Sequence, residues 1–314
     1  MMNKVLILLG PTSVGKTKAS ILLAQELKTE IISADSMQVY KNMDIGTAKP
    51  SIDEMNEVRH HMIDIVQPWE EFSAGRFIEE AVPIIEVLHS RGRVPLVVGG
   101  TGLYIKSMTR GLFQAPSAHS ILREELIGLE DEEPGSLYAL LQNLDPETAK
   151  TLPPNDKRRI IRALEVSVQS SCPASELKRS LTSPLPYDFI KIGITREREE
   201  LYDLIEKRVD EMMEAGLLEE AKKVLSMNPS KTAMQAIGYK ELAGFLNGEY
   251  DIEEAVILIK RNTKRYAKRQ FTWFKKEEGI SWVDVTGIHE PRETHLKLRD
   301  KLVELDPALL RQNF

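Results

Sequence analysis

A chain of 314 residues that is 42% hydrophobic and 29% charged is long enough to bury a full core, as one large domain or as a core carrying a second, smaller one. No apolar run approaches the roughly eighteen residues of a membrane span, and the N-terminal apolar stretch is too short for a signal peptide, so the expectation is a soluble, cytoplasmic chain with no membrane partner. A single cysteine, Cys172, excludes an internal disulfide and any multi-cysteine zinc site, and the net charge of −6 argues against a nucleic-acid partner only if the charge is spread evenly.

The first predicted element is a buried strand at Val5 to Leu9 that runs into Gly10-Pro-Thr-Ser-Val-Gly-Lys-Thr17. This is the spacing of a phosphate-binding loop. Gly10, Pro11, Thr12, Ser13, Val14 and Gly15 make a turn whose backbone N–H groups cradle a polyphosphate, Lys16 reaches the terminal oxygens, and Thr17 is the candidate ligand of a magnesium ion, Mg2+. A helix from Lys16 to about Lys28 adds its positive end, and a strand at Glu30 to Ala34 ends in Asp35, which completes a βαβ opening. A further strand is predicted at His61 to Val66, a helix from about Gly75 to Arg91, and a very apolar strand at Val94 to Val98 that enters Gly99-Gly-Thr-Gly102. Such continuous apolar strands suit a parallel sheet covered on both faces. His60 and His61 are adjacent on a strand and point to opposite faces, so they do not read as a metal pair.

After Pro116 the pattern becomes helical with charged faces, from about His119 to Leu181, until Pro184-Leu-Pro186 precedes another strand at Phe189 to Ile194. The fold class expected is therefore α/β, with a P-loop NTPase-like parallel sheet core formed by residues 1–114 and 187–314 and a mostly helical insertion at 115–186. Between Lys260 and Lys276 there are eight Lys or Arg residues and no acid. Lys260, Lys264 and Lys268 recur every four residues, as do Arg261, Arg265 and Arg269, which predicts a broad basic helix face that is either simply solvated or an RNA phosphate-binding surface.

In a typical P-loop NTPase a second apolar strand ends in an aspartate that holds magnesium through water. Here that strand ends in Gly99-Gly100, and the available acid is Asp35. Because the carboxyl ends of parallel strands share one crevice, Asp35, Thr101 and the phosphate loop should converge, with Asp35 either a metal-linked acid or a base acting on substrate. On these residues alone, a small-molecule or nucleotide kinase with ATP in the loop and a P-loop protein that binds RNA without chemistry both stay open.

Longer motifs narrow the choice. Ser33-Ala-Asp-Ser-Met-Gln-Val-Tyr-Lys41, Met43-Asp-Ile-Gly-Thr-Ala-Lys-Pro50, Val98-Gly-Gly-Thr-Gly-Leu-Tyr104, Asn155-Asp-Lys-Arg-Arg159, Arg208-Val-Asp-Glu-Met-Met-Glu-Ala-Gly-Leu217 and Ala236-Ile-Gly-Tyr-Lys-Glu241 follow the phosphate loop in order. In these the chain resembles the bacterial tRNA dimethylallyltransferases (tRNA isopentenyltransferases) over nearly its whole length. With no Cys after Cys172, the resemblance is to the shorter bacterial form, and no contribution from the C-terminal zinc finger of eukaryotic relatives is expected. The resemblance implies transfer of a dimethylallyl group from dimethylallyl diphosphate to N6 of the adenosine 3′ to the tRNA anticodon, with diphosphate as the leaving group held by the loop. It further implies Asp35, Thr101 and Arg208 as catalytic residues. Asp35, Ser36, Met37, Gln38 and Thr101 are expected to contact the extruded base, and Arg123, Lys157, Arg158 and Arg159 the anticodon stem. No obligate protein partner is expected.

Overall fold

Six strands and the helices between them frame the computed structural model, which describes residues 3–113, 116 and 119–311. In chain order the first half runs β1 (Lys4–Leu9), α1 (Lys16–Glu26), β2 (Ile31–Ala34), α2 (Ile52–Glu57), β3 (His60–His61), α3 (Ala74–Ser90), β4 (Leu96–Gly99) and α4 (Gly102–Thr109). Five helices follow, α5 (Ser120–Glu132), α6 (Ser136–Leu144), α7 (Pro146–Thr151), α8 (Lys157–Ser170) and α9 (Ala174–Leu181). The chain then continues with β5 (Asp188–Thr195), α10 (Arg198–Glu214), α11 (Leu217–Ser226), α12 (Tyr239–Leu246), α13 (Ile252–Phe274), β6 (Ile280–Asp284), α14 (Pro291–Leu305) and α15 (Ala308–Arg311).

The strands pair in the order β3-β2-β4-β1-β5-β6, every pair parallel. Val5, Leu6, Ile7, Leu8 and Leu9 of the central β1 are all fully buried, because helices cover both faces of the sheet. At about 1.5–3 kcal/mol for each such side chain, this one strand anchors the core. The register sets Leu9 beside Gly99 and beside Gly193, and Ala34 beside Gly99. The next residue of each strand exit, Gly10, Asp35 and Gly100, therefore emerges at the same edge. Parallel pairing alone brings the phosphate loop, the acid and the glycine-rich turn together.

The chain divides into two compact units, Met1–Ser107 with Pro186–Phe314, and Met108–Leu185. The second unit begins in the last turn of α4, whereas the expected boundary at residues 114 and 115 lies outside the described residues. Its own core is built from Leu126, Leu137, Leu141, Ala149, Ile160, Ala163 and Leu164. No strand falls in this unit among the described residues.

Two expectations need correction. The strand predicted at His61 to Val66 shrinks to His60–His61, because Met62 and Asp64 adopt positive φ (66° and 54°) that ends the extended run, and only an isolated bridge from Tyr40 to Val66 resumes it. The edge strand β6 was not predicted at all: its Ile280-Ser-Trp-Val-Asp284 segment is short and mostly half-buried or exposed, and it carries no strong periodicity.

Candidate active site

The phosphate loop leaves β1 where a side chain at Gly10 would place its Cβ 2.7 Å from the Ile194 carbonyl oxygen, so the backbone passes there only as glycine. Ser13 (φ 62°) and Gly15 (φ 100°) turn the loop through left-handed conformations into the N-terminus of α1, whose first turn carries no acidic residue to compete for an anion. Lys16 Nζ donates to the carbonyl oxygens of Gly10 (2.8 Å) and Pro11 (2.6 Å), which holds the ammonium inside the loop. Burial lowers its pKa to about 7, against the pull of the Asp35 carboxylate and with a further push from Arg208. Arg208, on α10, reaches the loop through Nη1, which donates to Ser13 Oγ at 3.4 Å. Its guanidinium is the second cation of the site, and the α10 position explains why an arginine distant in sequence belongs there.

Asp35 follows β2 and is half-buried. Its Oδ1 accepts from the backbone N–H of Met37 (2.8 Å) and of Gln38 (3.3 Å), so the carboxylate also shapes the turn that carries Ser36, Met37 and Gln38. Desolvation raises the Asp35 pKa, opposed by those two N–H groups and by Lys16 and Arg208. A carboxylate kept basic beside two cations is what a proton acceptor at this position needs. Thr101 lies next to it: Thr101 N–H donates to the Ala34 carbonyl (3.2 Å), and Ser36 N–H donates to Thr101 Oγ1 (3.0 Å). The Gln38 side chain is tied into the following loop, accepting from Ser33 Oγ (3.0 Å) and donating to the Ala48 carbonyl (3.3 Å).

The glycines of Gly99-Gly-Thr-Gly102 each have a separate steric reason. A Cβ at Gly99 would lie 2.2 Å from the Ala34 oxygen, at Gly100 2.2 Å from Gln270 Nε2, and at Gly102 2.3 Å from the Trp273 ring. Gln270 and Trp273 both come from α13, which therefore packs directly on the turn that holds Thr101. The Gln270 amide also accepts from Thr12 N–H at 2.9 Å. The Thr12 N–H is thus bonded within the protein, which fixes the loop against α13. The motif Met43 to Pro50 is pinned in a similar way by Glu220 of α11. Its carboxylate accepts from the N–H groups of Asp44, Ile45 and Gly46, each at 2.9 Å, and from Tyr239 Oη at 2.6 Å.

The basic helix divides by face. Lys260 pairs with Asp210 (2.6 Å) and Lys264 with Glu206, both acids on α10. The broad basic face expected of the two rows is thus open only in part, since Lys260 and Lys264 are each paired with an acid of a neighbouring helix. Arg265, Lys268, Arg269 and Lys276 are exposed and, with Thr272 and Trp273, line an open depression of about 380 Å³.

In the helical unit, Arg123 pairs with the buried Glu165 (2.9 Å), Lys157 with Glu130 (3.3 Å) and Arg159 with Asp156 (3.3 Å). Arg158 is exposed and has no ion pair among the described residues. Each of the paired cations keeps a largely exposed side chain, so pairing orients it without hiding it.

Sequence reasoning missed Gln270, Tyr266 and Glu220. A signal existed for the first: along α13 the positions Ala255, Ile259, Ala267, Gln270 and Phe274 are all buried at helical spacing, so a polar side chain stands in an apolar phase. Half-buried Tyr266 is one turn before it, and desolvation and the Asp35 charge keep its phenol protonated. Among the described residues no group of three or more His, Cys, Asp or Glu could hold a metal by itself. The Thr17 hydroxyl at the start of α1 is a hard oxygen donor, which fits a magnesium ion whose remaining ligands are phosphate oxygens and water.

Comparison with known proteins covers almost the entire chain. The profile described as IPP transferase matches residues 38–277, and one described as isopentenyl transferase matches residues 3–70. A tRNA dimethylallyltransferase of Thermodesulfovibrio yellowstonii is 55% identical over 298 residues, covering 92% of this chain and 94% of that protein. One from Halothermothrix orenii is 48% identical over 302 residues, covering 94% and 92%. The crystal structure of the tRNA isopentenylpyrophosphate transferase of Bacillus halodurans superposes with a TM-score of 0.72 at 40% identity, covering 99% of this chain and 98% of the other. A eukaryotic dimethylallyltransferase, captured crystallographically acting on tRNA, gives a TM-score of 0.82 at 32% identity, covering 97% and 79%.

Proposed function

The chain belongs to the tRNA dimethylallyltransferase family and transfers a dimethylallyl group to tRNA, and we propose that the group comes from dimethylallyl diphosphate and joins N6 of the adenosine 3′ to the anticodon. The observation that carries the assignment of residues is the convergence of Lys16, Asp35, Thr101 and Arg208 at one edge of the parallel sheet. Family membership sets aside the kinase reading and the reading of a non-catalytic RNA binder.

In this mechanism the loop holds the diphosphate, with Gly10, Pro11, Thr12, Ser13, Val14 and Gly15 shaping the cradle. Lys16 and Arg208 neutralise the charge that grows on it as the allylic C–O bond breaks. The Thr101 hydroxyl donates to the bridging oxygen. The adenine amine delocalises its lone pair into the ring and attacks poorly until it loses a proton, which Asp35 accepts as the new N–C bond forms. Magnesium held by Thr17 would supply further charge neutralisation to the leaving group. The target base must leave its stack to reach the crevice, where Ser36, Met37 and Gln38 would contact it. Arg123, Lys157, Arg158 and Arg159 would grip the anticodon stem. Because its substrate is tRNA, we place its work in the cytoplasm; no helix among the described residues is long and apolar enough to cross a membrane.

Incubation with dimethylallyl diphosphate and unmodified tRNA, followed by mass analysis of the nucleosides, tests the reading. A dimethylallyl adduct on adenosine is expected, and its absence would remove the assignment. The α13 surface gives a second expected result. Replacing Arg265, Lys268 and Arg269 with Gln should flatten the salt dependence of tRNA binding, by roughly 0.7 to 0.9 in slope per lost phosphate contact. Lys264→Gln should leave the slope unchanged, since Lys264 is already paired with Glu206. Equal slopes in the triple variant and the unaltered protein would make the face merely solvated.

A further inference from the structure

Between the phosphate loop and the turn that carries Thr101, the sheet has already ended. The β1–β4 ladder runs from Leu6 beside Leu96 to Leu9 beside Gly99, and beyond it the two chains diverge into loops with different tasks. One loop holds the diphosphate, and the other presents Thr101 to the bond that breaks. Past the last register pair, the side chain of Gln270 spans these two loops directly.

We propose that Gln270 is a positioning residue for the transfer reaction: its amide acts as a surrogate peptide group that continues the β1–β4 ladder and fixes the distance from the phosphate loop to Thr101. Thr12 N–H donates to Gln270 Oε1 at 2.9 Å, and Gln270 Nε2 donates to the Gly100 carbonyl at 2.9 Å. One acceptor and one donor in one plane are what a peptide unit offers to two neighbouring strands. Gln270 is only 6% exposed, so both bonds form away from water, where leaving either backbone group unpaired is costly. The fit is tight: a Cβ at Gly100 would come within 2.2 Å of Nε2, and it would also lie 3.2 Å from the Gly10 carbonyl oxygen. A glycine is therefore required at residue 100 for this amide to reach the second loop.

The inference rests on the assignment of the loop to diphosphate and of Thr101 to the leaving-group oxygen. Its chemistry is specific to an amide. Methionine matches the length and supplies neither bond. An ionised glutamate can accept from Thr12 N–H but has no proton for the Gly100 carbonyl, whereas a protonated glutamic acid has both a carbonyl oxygen and an O–H and restores the bridge.

Gln270→Met, Gln270→Glu and Gly100→Ala are to be compared with the unaltered protein for single-turnover transfer, for inorganic diphosphate binding by calorimetry and for tRNA binding by filter retention. Gln270→Met and Gly100→Ala should slow transfer by about 10- to 100-fold, the range expected when reacting groups are misplaced by a fraction of an ångström to about one. Diphosphate affinity should fall and tRNA affinity should stay within about twofold, a split that general destabilisation would not produce. The rate of Gln270→Glu relative to the unaltered protein should rise as pH falls, whereas that of Gln270→Met stays flat. Taking the ratio at each pH cancels the titration of Asp35 and Lys16, which both proteins share. If Gln270→Met fails to fold, the Gln270→Glu pH ratio decides. Transfer at the unaltered rate in Gln270→Met and Gln270→Glu, a flat ratio for Gln270→Glu, or a loss confined to tRNA affinity would overturn the proposal. Failure of the unaltered protein to modify tRNA would instead strike the functional reading itself.

Discussion

Asp35→Asn should lower the rate of dimethylallyl transfer by about 10² to 10⁴, the usual worth of a positioned general base, while tRNA binding changes little. The asparagine variant is informative because Asp35 does two things. Its Oδ1 accepts from Met37 and Gln38 N–H and so builds the turn after β2. Asparagine keeps that acceptor and the turn, but loses the basic carboxylate; alanine loses both. If the role is proton removal, the two variants should be equally slow, and only Asp35→Ala should be less stable to denaturant. Near-normal transfer by Asp35→Asn would reduce Asp35 to a turn-forming residue. The pH profile adds a sign. Burial raises the Asp35 pKa, so activity is present above the raised value and is lost as pH falls through it. The acid limb of kcat/KM should thus lie above the ordinary carboxylate range and vanish from the residual activity of Asp35→Asn.

Lys16→Met should reduce kcat/KM for dimethylallyl diphosphate by about 10² to 10³, comparable to removing one preorganised donor from a developing oxyanion. The ammonium is preorganised: its Nζ is tethered to Gly10 and Pro11 carbonyl oxygens and does not have to be recruited from solvent. Burial lowers its pKa to about 7, and a bound diphosphate favours the charged form. The bound state therefore holds more protons than the free one, and diphosphate affinity should weaken as pH rises above about 7, by at most about tenfold per unit. Calorimetry in buffers of different ionisation enthalpy reads that proton uptake directly. The same titration in Lys16→Met subtracts the ligand's own ionisation. Identical proton uptake in the two proteins would show that Lys16 does not take up the proton.

The phosphate loop, Asp35 and Thr101 were legible in the sequence for one reason. Each follows a buried parallel strand, and the geometry of a parallel sheet sends all such exits to one edge, so local pattern was enough to place them. The helical character of residues from His119 to Leu181 was legible too, because amphipathic periodicity is a property of neighbouring residues. Arg208 was carried only by resemblance, since nothing local to α10 shows that one of its many charged residues meets Ser13, 195 positions earlier. The basic rows of α13 were visible as charges, yet their fate depended on Asp210 and Glu206 of another helix, and only packing showed which lysines are neutralised. The glycines of Gly99-Gly-Thr-Gly102 read as a turn, whereas their true constraint is close approach of Ala34, Gln270 and Trp273. The sequence by itself therefore determined the four inner strands of the sheet, the loop and the acid, because these follow from short-range hydrophobic pattern and strand direction. Tertiary structure alone decided the bridge made by Gln270, the clamp made by Glu220 and which cations of α13 are exposed, because a hydrogen bond or ion pair between residues far apart in the chain depends on where two helices come to rest, which no local periodicity encodes.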